Sequence, residues 1–173
     1  MIEAGQTAPD FLLPGIERGT PEMYKLFEPL GTDETVLLWL FPSTFLPTAT
    51  AELCAIRDAG WHDVDGLSVW GVSMDSIYAA AAYADEYDLP MPLLGDGGSA
   101  AEHYGVRYEE WEGHFGPPKR AVFLVEPDWT VAHAWVCEDA FDTTVSPVAA
   151  VASALGERFT AVDTGAKADY ERF

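Results

Sequence analysis

Residues 35–41 read Thr-Val-Leu-Leu-Trp-Leu-Phe and are closed by Pro42. The run is too short for a stable helix and lacks the alternation of a strand with one wet face, so it is expected to form a strand buried on both sides. Such a strand needs a covering layer above and below the sheet. The sequence supplies candidates: residues 47–59 carry Ala49, Leu53 and Ile56 at helical spacing, with Gly60 as a stop. Residues 67–73, Leu-Ser-Val-Trp-Gly-Val-Ser, form a second apolar strand. Asp75 and Ser76 follow as cap candidates, then Ile77, Ala80, Ala81, Ala84 and Tyr87 on a helix that Pro90 ends. Strand, helix, strand, helix implies a parallel pair joined by a right-handed crossover. Later, residues 121–125 and 130–136 flank the turn Glu126-Pro-Asp-Trp129 as a hairpin, a short helix is expected near residues 100–104, and a last helix over about residues 145–155. The expected class is α/β, a mixed central sheet flanked by helices.

With 173 residues, about half of them hydrophobic, the chain can bury one substantial core and is too short for two ordinary domains. Residues 1–156 are assigned to that domain and residues 157–173 to a polar tail that wraps the domain, meets a partner or stays mobile. The 29 acidic against 9 basic residues argue against a nucleic-acid partner, because phosphate binding rests on Lys and Arg. Six Trp, seven Tyr and nine Phe argue against disorder as the source of that charge. An acidic folded surface is expected to suit a high-salt cytosol, where counterions screen its self-repulsion. No apolar run reaches the ~18 residues of a membrane span, and Glu3, Pro9 and Asp10 stand where a secretory signal needs a basic end and an apolar block. Cytoplasmic localisation without a membrane partner is the expectation. Cys54 and Cys137 have no metal-ligand spacing, and His62, His103, His114 and His133 are scattered, so neither a metal nor another cofactor is expected.

Several blocks then fall in a recognisable order. They are Gly5-Gln-Thr-Ala-Pro-Asp-Phe11, Leu40-Phe-Pro-Ser-Thr-Phe45, the helix with Glu52-Leu-Cys-Ala-Ile-Arg-Asp58, Gly71-Val-Ser-Met-Asp-Ser76, Asp88-Leu-Pro-Met-Pro-Leu-Leu-Gly-Asp96, Ala101-Glu-His-Tyr-Gly-Val106 and Arg120-Ala-Val-Phe-Leu-Val125. From Gly5 to about Val136 the sequence resembles the peroxiredoxins, thiol peroxidases of the AhpC/TSA superfamily, and within them the bacterioferritin-comigratory type. The resemblance implies a thioredoxin-like fold. It also implies the active-site motif Pro-x-x-x-Thr-x-x-Cys, which aligned on Pro42 puts the threonine at Leu46 and the peroxidatic cysteine at Ala49. By the same resemblance Pro42 shields the pocket, Arg120 polarises the peroxide, Glu52 lies on the same helix, and Cys54 falls where the subgroup often carries a resolving cysteine. Peroxide and a thiol reductant are the implied partners of an active parent, and a homodimer is consistent with the family.

A peroxidatic thiol must ionise, attack the peroxide as a thiolate and become a sulfenic acid, and an alanine methyl does none of these. Leucine at position 46 removes a hydroxyl and a helix cap, and fills the pocket with apolar volume. Three readings stay open at this point: a peroxiredoxin-like protein that has lost peroxidase chemistry and serves in binding, assembly or redox sensing; a thiol peroxidase whose cysteine was replaced at position 49; and thiol chemistry through Cys54. Cys54 lies more than a turn beyond the helix start and is otherwise a small apolar residue beside Leu53. It can pair with Cys137, placed beyond the last strand, only if their Cα atoms approach within ~7 Å. Arg120 serves the pocket or pairs with a surface carboxylate. Thr44, Thr48 and Thr50 are expected in turn and cap roles, Gly95-Asp-Gly-Gly98 in a turn rather than a phosphate cradle, and the aromatic residues from Tyr104 to Trp111 in packing.

Overall fold

The structure, a computed structural model, describes residues 1–173. In chain order the elements are β1 (Leu12–Glu17), β2 (Thr20–Lys25), α1 (Phe27–Gly31), β3 (Thr35–Leu40), α2 (Pro47–Asp58), β4 (Leu67–Ser73), α3 (Ile77–Tyr87), β5 (Leu93–Gly95), α4 (Ser99–His103), β6 (Glu110–Trp111), β7 (His114–Phe115), β8 (Arg120–Val125), β9 (Val131–Cys137) and α5 (Val148–Gly156). A short 3-10 turn, Trp61–Asp63, links α2 to β4.

Seven strands form one sheet in the order β2-β1-β5-β4-β3-β8-β9, and β6 and β7 make a separate small hairpin. β3 runs parallel to β4 and antiparallel to β8, and all its residues are buried. Period two along β3 then divides the interior into two cores. Leu37 and Trp39 face a core shared with α2, α3 and α5; Val36, Leu38 and Leu40 face a second one with Tyr24, Trp70, Tyr104 and Phe123. At Gly71 a side chain is excluded by close approach, since a Cβ there would lie 2.6 Å from Leu93 Cδ2. The architecture is the expected mixed sheet with helices on its faces, and it is thioredoxin-like.

Some boundaries differ from the sequence expectation. The last helix begins at Val148, after Pro147, rather than near residue 145; proline has no N–H to give and suits a helix entry better than an interior. Cys137 is the last residue of β9, opposite Arg120, and not beyond the strand. Periodicity did not reveal the β1–β2 hairpin, because Pro14, Gly15 and Pro21 interrupt it.

Residues 157–173 lie against the helical side of α2 and α3. Trp61 Nε1 donates to the Asp163 carbonyl at 3.2 Å, Val162 and Ala166 are buried, and the Phe173 ring meets Tyr87 edge-on at 5.5 Å.

Candidate active site

The site is built at the N-terminus of α2. Pro47 occupies the first turn, and Leu46, in extended conformation, takes the cap position without a side-chain hydrogen bond. Thr50 Oγ1 instead donates to the Leu46 carbonyl at 2.9 Å and lies 2.8 Å from the Tyr83 hydroxyl. The loop before the helix is tied down by Asp75, whose Oδ2 accepts from Ser43 Oγ, Thr44 N and Thr44 Oγ1 at 3.0, 2.6 and 2.8 Å. Phe45 has a positive φ of 62° and stacks on Tyr83 and Tyr87, with ring centroids 5.0 and 6.1 Å away. Thr48 Oγ1 donates to the Ala140 carbonyl at 2.6 Å, fixing the helix start to the loop after β9. The threonines thus act in turns and tethers.

Ala49 is fully buried, and Leu46 is closed off beside it in the same apolar cluster with Leu53. Pro42 is buried as well. One turn on, Glu52 projects from the same helix side with no exposure, and its carboxylate is held from three directions. Trp39 Nε1 donates to Oε2 at 2.9 Å; Arg120 Nε and the Tyr170 hydroxyl donate to Oε1 at 2.8 Å each; Arg120 Nη2 also donates to Oε1.

Arg120, likewise fully buried, is equally engaged. Nη1 donates to the Asp142 carbonyl at 2.6 Å, and Nη2 to the Val145 carbonyl at 2.9 Å and the Tyr170 oxygen at 2.8 Å. Its guanidinium lies between the Trp135 and Tyr170 rings, 5.3 and 5.5 Å from their centroids. Burial works against the charge, but the hydrogen bonds and attraction of Glu52 outweigh it and hold the Arg120 pKa above the usual arginine value. Burial, then the Glu52 charge, pushes the Tyr170 phenol up to about 12, so it stays protonated and can donate to Glu52. The carboxylate partner of Arg120 is therefore internal rather than on the surface. Tyr170 brings the tail into this cluster.

Cys54 is buried, and burial raises its thiol pKa, with Arg57 opposing the effect. Cys137 Sγ lies 3.2 Å from the Asp139 carbonyl, and both cysteines are free thiols. At the same end of the sheet, after β5, Asp96 accepts the N–H groups of Gly98, Ala100 and Ala101 at 3.0, 3.1 and 2.8 Å, so the Gly95–Gly98 turn caps α4 with its own carboxylate. Tyr104 is buried in the second core, and Trp111 stacks between Tyr108 and Phe141.

Sequence reasoning brought Pro42, Leu46, Ala49 and Glu52 to one helix start and Arg120 to its partner strand. It missed Trp39, Tyr83 and Tyr170. A tryptophan inside a fully buried strand was a usable signal, because its indole N–H needs an acceptor. Tyr170 lies 118 residues from Glu52, and no local pattern links them.

The sequence and the fold match known proteins. The AhpC/TSA family model matches residues 4–134. A Coxiella burnetii protein assigned as the peroxiredoxin bcp is 33% identical over 141 residues, covering 78% of this chain and 88% of the relative. The crystal structure of the peroxidoxin BcpB from Mycobacterium tuberculosis superposes with a TM-score of 0.71 at 30% identity, covering 90% of this chain and 96% of the other. AhpC of Enterococcus faecalis shares the fold at a TM-score of 0.74 and 23% identity, over 98% and 99% of the two chains. The chain belongs to the AhpC/TSA family, as a peroxiredoxin of the bacterioferritin-comigratory type.

Proposed function

We propose that the chain is a peroxiredoxin scaffold without thiol peroxidase activity as its sequence stands, retained for binding. The observation that carries this reading is the buried alanine at position 49, in a cluster where leucine fills position 46. The arginine that would polarise a peroxide is already engaged by Glu52, two carbonyls and Tyr170, with only the second Nη1 hydrogen uncommitted. A nucleophile, an open space and a free cation are all needed for attack on a peroxide bond, and the three are replaced together. Cys54 does not substitute, because burial keeps its thiol protonated. Residues 1–156 form the peroxiredoxin-type unit in this reading, and residues 157–173 act as its strap. Cytoplasmic, high-salt residence belongs to the same proposal: with a net charge of −20, melting temperature should climb with KCl, and a flat response would remove this part.

The deciding experiment is peroxide consumption with a thiol reductant by Ala49→Cys, alone and combined with Leu46→Thr. Activity only in the double variant supports loss of the site by accumulated change. Strong activity from the single change favours the second reading, a thiol peroxidase in which only the sulfur was removed; the intact Arg120–Glu52 pair is the observation on its side. Robust turnover by the unaltered chain, abolished by Cys54→Ser, would overturn both.

A further inference from the structure

A second polar region lies across the sheet, where one ladder is incomplete. β4 and β5 pair from Gly71 opposite Leu93 onward, and Gly71 N donates to the Pro92 carbonyl at 2.9 Å. Val69, two residues earlier, turns its own N–H and C=O to the same side. No β5 residue lies opposite, and Pro92 has no N–H to offer. The gap opens into a cleft of about 340 Å³ between the first half of β4, the Pro90–Pro92 segment and the β1–β2 hairpin.

Two side chains lining this cleft have buried polar atoms that no protein group satisfies, the Tyr24 hydroxyl and His62 Nδ1. Tyr24 is 8% exposed, its ring fixed over Gly15 and edge-on to Trp70 at 5.4 Å. Native proteins rarely leave such groups unpaired, so each one calls for a partner. His62 Nε2 lies 3.3 Å from the Asp63 carboxylate, which leaves Nδ1 as the lone-pair acceptor. The rim is acidic on balance: Glu17, Glu22, Glu28 and Asp63 outnumber Arg18 and Lys25, and Lys25 is already paired with Glu28 at 3.1 Å. Burial, then the charges of Glu17 and Glu22, push the Tyr24 phenol up to about 12, so the hydroxyl stays protonated.

We propose that this cleft binds a small organic cation through a primary ammonium group, using the Val69 carbonyl, the Tyr24 hydroxyl and His62 Nδ1 as acceptors and Glu17 and Glu22 as countercharge. An ammonium has three N–H donors and no acceptor, which matches a site rich in acceptors. The site rests on neither the peroxidase chemistry nor its loss.

The test is calorimetric titration of the full chain with 1,4-diaminobutane, using 1,4-butanediol as the uncharged control. Molar KCl screens diffuse attraction to the acidic surface. One saturable site per chain is expected for the diamine and none for the diol. Tyr24→Phe should weaken binding about tenfold or more, because it deletes one hydrogen bond to a charged group and changes no charge. Glu22→Gln, at an exposed position that cannot disturb the core, should weaken it about threefold or more. Absence of a saturable site, equal binding of the diol, or undiminished binding in both variants would overturn the proposal.

Discussion

The helix-start cluster and the cleft beside β4 are opposite solutions to the same problem, polar groups inside a sheet protein. Around Arg120 the protein supplies every partner, from α2, β3, the loop after β9 and the tail. Around Tyr24 it supplies an aromatic bed and a negative rim but leaves the hydroxyl without a hydrogen-bond partner. Low dielectric magnifies both situations, rewarding complete networks and penalising incomplete ones. The closed cluster is stable because nothing is left to bind, and the open one is suited to binding because something is left over.

The harshest way to break this contrast is Glu52→Ala. It leaves the Arg120 charge buried and uncompensated, and should lower unfolding stability by about 3–5 kcal/mol, read as an earlier urea midpoint at unchanged slope. Tyr170→Phe is milder, expected to cost about 1–2 kcal/mol through loss of the hydroxyl bridge between Arg120 and Glu52. The same variant has a pH signature. The folded phenol titrates near 12 and the unfolded one near ~10, so the unfolded state releases its proton first as pH rises. The stabilisation is therefore complete below the unfolded value and is lost as pH climbs from there through the folded value. The alkaline fall in melting temperature should be shallower in Tyr170→Phe than in the parent. Smallest of all, Tyr24→Phe should change stability by no more than about 0.5 kcal/mol, and in the stabilising direction if at all, since it deletes a hydroxyl with no protein partner. Equal losses from the two tyrosine changes would erase the distinction between the regions.

The sheet centre was readable because residues 35–41 and 67–73 are buried on both faces and so carry unbroken apolar runs. The edges were not. β2 is mostly exposed and broken by Pro21, and β5 has three residues between Pro92 and Asp96, too few to show a period. At the site, spacing from Pro42 placed Leu46, Ala49 and Glu52, because one turn of one helix fixes their relation. What spacing cannot convey is saturation. Whether Arg120 is free or taken depends on Tyr170 and on carbonyls at Asp142 and Val145, brought in by the path of the chain after β9. The cleft escaped notice for the same reason, since an orphaned hydroxyl is a statement about neighbours.

The late start of β5 leaves a mark on the timing of solvent access as well. β4 is the central strand of the seven, and its amides should exchange with deuterated water only when the whole protein opens. Val69 is the exception, because β5 starts too late along the chain to set a carbonyl opposite its N–H. Its amide should exchange through the native state while those of Trp70 and Val72, turned toward β3, stay protected. A strand that begins two residues late thus places a solvent-readable point within the protected interior of the sheet.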